Sequence, residues 1–125
     1  MKTESSLLPA LSTVAAAAPA ADRSPRAASG PIAIPPTGGP SFDFGGLGVH
    51  WKIDAAGTGR RFSVVHHPLA PRALASPLHF HHREDEYSYV LKGTPGALLG
   101  GDVVTAGPGT WVFKPRGQWH TFWNA

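Results

Sequence analysis

A long helix has little room in this chain. Its 125 residues include 15 glycines and 13 prolines. Glycine frees the backbone for turns, while proline interrupts helices and cannot donate within a central strand. Short strands joined by turns are therefore expected. Ile32–Pro35 is a short extended apolar piece. Leu47–Ile53 (LGVHWKI) and Arg61–His67 (RFSVVHH) read as strands, and the turn signal at Asp54–Gly59 makes them a hairpin. Pro68–Pro77 contains 3 prolines and reads as a rigid loop, followed by an extended Leu78–His82. Glu86–Lys92 (EYSYVLK) alternates and is rich in aromatic and branched residues, as strands are. Ala97–Gly100 and Asp102–Ala106 form a second hairpin about Gly100–Gly101. Thr110–Lys114 and Trp119–Trp123 are the last two strands, joined by a turn at Pro115–Gln118. This spacing implies one all-β domain, an antiparallel sandwich or small barrel.

Two stretches carry the chemistry. Pro77–Gly93 (PLHFHHREDEYSYVLKG) is dense in histidine and acid, and Gly109–Asn124 (GTWVFKPRGQWHTFWN) brings one more histidine. Residues two apart on an extended strand share a face. His79 and His81 thus present two imidazoles together, with Leu78, Phe80 and His82 opposite. Glu86 is out of phase with them on an unbroken strand, so Arg83–Asp85 must bend to return its carboxylate to the same interior. His120 approaches from a separate strand. Three imidazoles and a carboxylate suit one divalent transition metal (Fe, Mn, Ni, Co, Cu or Zn), and they leave coordination positions open for a substrate. Cysteine is absent, which excludes disulfides and thiolate sites. His82, Glu84 and Asp85 are set aside as surface groups. One of the adjacent His66 and His67 must face inward. Tyr87 and Tyr89 fall on the outer face, while Ser88 and Val90 are in phase with Glu86. Phe122 points inward, opposite Trp119, Thr121 and Trp123. Lys114 and Arg116 read by default as solvated or ion-paired beside the proline turn, with binding of a substrate carboxylate as the alternative.

These stretches resemble the two motifs of the cupin superfamily. The first motif appears as His79-Phe80-His81, then Glu86 and Gly93. The second appears as Gly109, Pro115-Arg116-Gly117, His120 and Asn124. The wording is similar to small single-domain cupins of the quercetin-dioxygenase-like kind. The resemblance implies a double-stranded β-helix, or jelly-roll barrel, with a mononuclear non-haem metal held by His79, His81, Glu86 and His120. It implies dioxygen-dependent chemistry on a small oxygen-rich molecule, with Glu86 as a catalytic group able to accept a proton. A non-catalytic binding module and an inactive truncated homologue are the alternatives. Ala73 stands where the first motif opens on glycine. Cupins normally continue past the final motif asparagine. The expectation here is therefore a barrel incomplete at its C-terminus, with an unpaired edge and uncovered apolar area near Trp119–Trp123, completed in a homodimer.

Residues 1–30 are rich in Ala, Pro and Ser and are expected to form a disordered tail ahead of a domain at 31–125. Lys2, Leu7–Ala18 and the Ala-Pro-Ala at Ala18–Ala20 make a weak secretion signal. Glu4 and Pro9 oppose it, so a cytoplasmic location is expected. The net charge of +3 is scattered, which does not suggest a nucleic-acid partner, and no apolar run is long enough to span a membrane.

Overall fold

A computed structural model of the chain describes residues 30–125. The expected tail falls outside them except for Gly30. The described residues contain eight β-strands, one 3-10 turn and no α-helix. The strands are β1 (Ser41–Asp43), β2 (Gly48–Ile53), β3 (Val64–His66), β4 (Glu86–Tyr89), β5 (Pro95–Leu99), β6 (Asp102–Thr105), β7 (Trp111–Lys114) and β8 (His120–Asn124). They form three antiparallel sheets of order β1-β2-β3, β4-β7 and β6-β5-β8.

Both expected hairpins are present. β2 pairs with β3 around a 3-10 turn at Ala55–Thr58, where the Asp54 side chain accepts from the Ala56 N–H at 2.6 Å. β5 pairs with β6, and β5 also pairs with β8. That second pairing depends on Gly96. A Cβ there would lie 2.4 Å from Trp123 Cε2, so only glycine lets the indole lie flat across β5. Gly93, which closes the first motif, turns the chain at φ +81°, a conformation that favours glycine.

The expected free edge at the last strand is corrected. The far side of β8 is hydrogen-bonded to the proline-flanked segment 72–79. Arg72 N–H donates to Asn124 O (2.9 Å), Asn124 N–H to Ala73 O (3.0 Å) and Ala75 N–H to Phe122 O (2.9 Å). His79 and His120 exchange a pair of bonds at 3.1 and 2.8 Å. The Thr121 hydroxyl donates to Ser76 O at 2.6 Å, and the Asn124 amide to Leu69 O at 2.9 Å. Pro71 and Pro77 do not prevent this pairing, because the donors come from the residues between and beside them.

The buried apolar side chains are small: Ala75, Val90, Ala97 and Ala106. The largest fully buried side chains are polar, Lys114 and His120. The interior of this fold is organised around a polar site.

Candidate metal centre

Each of the four expected ligands is positioned by a different device. Glu86 opens β4 and His120 opens β8. His79 is locked to His120 by their paired backbone bonds. His81 is held by its carbonyl, which accepts from Gly117 N–H at 2.7 Å. The chain bends at His82–Arg83, as the phase of Glu86 requires. Asp85 fixes that bend by accepting from Arg116 through its backbone N–H (3.0 Å), Nε (3.1 Å) and Nη2 (2.8 Å). Each motif therefore grips the other through the Pro115–Gly117 turn.

Potential ligand atoms of His79, His81, Glu86 and His120 all lie within 4.8 Å of one another. Glu86 Oε2 is 3.1 Å from His81 Nε2 and 3.2 Å from His120 Nε2. Two ligands at right angles around an ion with bonds of about 2.1 Å sit about 3.0 Å apart, so these spacings fit a metal.

Proton placement fits it too. His79 Nδ1 is 2.8 Å from Pro77 O, and His120 Nδ1 is 2.9 Å from Gln118 O. A carbonyl only accepts, so each Nδ1 carries the proton and each Nε2 keeps a lone pair, the arrangement a metal-binding histidine needs. His120 is fully buried, and burial holds its pKa below the ordinary value of 6.5 against the opposing pull of the Gln118 carbonyl and Glu86. A neutral His120 thus aims a lone pair at a carboxylate oxygen. A cation held between them would satisfy both groups. For Glu86, burial raises the pKa, but the Lys114 charge and hydrogen bond, with His120 and His81, bring the net value below the usual 4.5. The carboxylate is therefore ionised and ready to bind a cation.

The residues set aside behave as expected. His82 is exposed with its ring 4.6 Å from Phe80, which also meets Trp119 at 4.7 Å. Of the two adjacent histidines, His67 is the one turned toward Glu86 and Lys114, although much of its own surface stays exposed. Its ring lies 6.1 Å from Phe122, and it senses the charges of Glu86 and Lys114. Its Nδ1 donates to Gly48 O at 3.1 Å, and its pKa is lowered chiefly by burial. His66 instead meets His50 edge-on at 5.5 Å.

Lys114 takes the ion-paired side of its default and not the solvated one: it is 2% exposed and paired with Glu86, so it is not free for a substrate carboxylate. Period two on β7 places Lys114 on the face of Val112, away from Trp111 and Phe113. That is the one sequence signal for its burial. Its partner depends on the β4–β7 register, which aligns Glu86 with Lys114. Arg116 is engaged by Asp85, the ion-paired default. A surface groove of about 450 Å³ lined by Ile32, Ile34, Phe42, Trp51 and Ile53 shares no residue with the metal cluster.

A protein-family model described as a cupin domain matches residues 65–125, just under half of the chain and inclusive of all four clustered residues. No curated protein matches. Solved structures do. One, from Acidithiobacillus ferrooxidans ATCC 23270 and described as a candidate sugar phosphate isomerase, is 25% identical with a TM-score of 0.51, covering 62% of this chain and 51% of that one. The chain thus spans about half the length of that structure. With these likenesses, the antiparallel arrangement is an all-β cupin-type jelly roll.

Proposed function

We propose that this chain is a metal-binding cupin, in which His79, His81, Glu86 and His120 hold one divalent transition ion and leave room for a small oxygen-rich ligand. The observation that carries this reading is His120. Its Nδ1 lies 2.9 Å from Gln118 O, so Nε2 is the nitrogen left for an ion, and it faces Glu86 Oε2 at 3.2 Å within the four-residue cluster. A bound ion would polarise a substrate oxygen and, if redox-active, give dioxygen an electron path.

The chain's own groups supply the rest. His79 and His120 each set Nδ1 against a backbone carbonyl, which leaves Nε2 for the ion, and His81 sets Nε2 beside Glu86. Glu86 Oε2 is the carboxylate oxygen that faces the cluster, and it can hold a proton taken from a substrate hydroxyl. His67 keeps one acceptor nitrogen once Nδ1 has donated to Gly48 O, so it is the second group able to hold a proton near Glu86. Phe122 gives this region an apolar wall. Dioxygenase-type chemistry follows from the motif resemblance. An isomerase reading has the structural likeness in its favour, but a phosphate-bearing substrate lacks support: Lys114 and Arg116 are both paired with acids.

Elemental analysis of protein purified without added metal is the test. About one transition ion per chain is expected, with loss of the ion in His120→Ala. Metal-free wild-type protein that also fails to take up Fe, Mn, Ni, Co, Cu or Zn would overturn the reading. Oxygen uptake with phenols and diketones, against isomerisation of simple sugars, separates the two chemistries.

A further inference from the structure

The β4–β7 register places Glu86 directly across from Lys114. The Lys114 ammonium donates to Glu86 Oε1 and to Ser88 Oγ (2.8 Å), and it lies 4.8 Å from the centre of the Phe122 ring. The two oxygens of Glu86 are thus divided. Oε1 belongs to Lys114, while Oε2 faces His81 and His120.

A buried ion pair is a poor device for stability alone. Desolvation offsets most of the attraction, and a well-packed apolar pair does as well or better. At this position Lys114 also has an electrostatic cost, because it sets a positive charge beside a cluster suited to a dication. Both features point to a role in tuning the ligand.

We propose that Lys114 is a positioning residue for the metal site: it holds Glu86 Oε1 out of the coordination set, so that Glu86 binds through Oε2 alone and a further position stays open for substrate. This inference rests on the metal-binding reading above. It adds that the weak affinity imposed by a neighbouring ammonium is the condition for an open, exchangeable site. Without Lys114, Glu86 is free to offer both oxygens, and the local repulsion of the ion is gone.

The test uses the purified full chain loaded with Co²⁺, whose visible absorption weakens as coordination number rises. Wild type, Lys114→Met and Lys114→Arg are compared by chelator competition and by spectrum. Lys114→Met is expected to bind Co²⁺ about tenfold or more tightly, with weaker visible absorption, and Lys114→Arg to restore the wild-type spectrum. A purely structural lysine would give unchanged or weaker binding with an unchanged spectrum, and that result overturns the proposal. If Lys114→Met does not fold, Ser88→Ala loosens the ammonium while keeping its charge. A spectral change in the same direction is then expected, and an unchanged spectrum overturns the proposal. Failure of wild type itself to bind Co²⁺ is a different result: it removes the metal-binding reading and this inference with it.

Discussion

Single side chains here do work that their neighbours fix. Glu86 and Lys114 form a pair in which only one partner is fully enclosed, so removing the acid strands a buried ammonium. Glu86→Leu is expected to destabilise the metal-free protein by about 3 kcal/mol, the lower end for a broken buried pair because Glu86 is itself partly exposed. Urea denaturation in a chelator measures it, and a loss below about 1 kcal/mol would mean that Lys114 finds another partner. Asp85 makes a separate case. Its hydrogen bonds from Arg116 lower its pKa from 3.8 to about 2. A carboxylate depressed in the folded state stabilises it fully above the unfolded value, and that contribution fades as pH falls from about 3.8 toward 2. NMR titration of the Asp85 carboxyl should show the low value in wild type and a partial rise in Arg116→Gln, whose backbone N–H still donates to Asp85. A value that does not move would rule out the Arg116 side chain as a cause.

At the scale of elements, local pattern was legible and long-range partners were not. Alternation and turn residues located both hairpins, because hairpin partners are adjacent in sequence. Period two and an expected bend before Glu86, which the fold makes at His82–Arg83, one residue earlier than Arg83–Asp85, placed His79, His81 and Glu86 on one side for the same reason. For Lys114 an ion pair was among the default readings, but its partner was not legible, because Glu86 lies 28 residues away across a register that only the folded sheet defines. The pairing of 72–79 with β8 was missed because three prolines make Pro68–Pro77 read as a loop, although Ala73, Ala75 and His79 all keep backbone donors or acceptors for β8. The crossing of β5 and β8 yields its own test. Gly96→Ala would press a methyl into the Trp123 indole, where the nearest atom is 2.4 Å away. Overpacking of this kind costs about 1–3 kcal/mol. A thermal melt should show the loss, and Trp123→Leu in the same chain should recover part of it. An unchanged melting temperature for Gly96→Ala would mean that β5 and β8 separate freely at this crossing.

For the molecule as a whole, uncovered apolar area lies at Trp119, 49% exposed as expected, and more extensively on a second face. Trp123 is half-buried over Gly96, whereas the outer face of β4–β7 is open. Tyr87 stacks on Phe113 at 4.8 Å and Tyr89 meets Trp111 at 4.7 Å, with Trp111 69% and Tyr87 65% exposed. These rings form an exposed aromatic patch on one face, a kind of surface that can serve as an interaction site. Among the described residues no third strand joins β4 or β7. A sheet of two strands with an apolar face is marginal alone and suited to pairing with a copy of itself about a two-fold axis. The homodimer expected from the sequence was to pair the last strand, whose edge is already occupied; a dimer through this aromatic face is a separate proposal. A stable complex typically buries ~800 Å² per partner, so backbone pairing at the strand edges would have to add to the four rings. Sedimentation over a range of concentrations should therefore show reversible dimers. Trp111→Lys, a change on the exposed face far from the inward-facing Lys114, should shift them to monomers with metal content unchanged. Wild-type protein that remains a monomer at every concentration would instead make this aromatic face a solvent-exposed feature of the single chain.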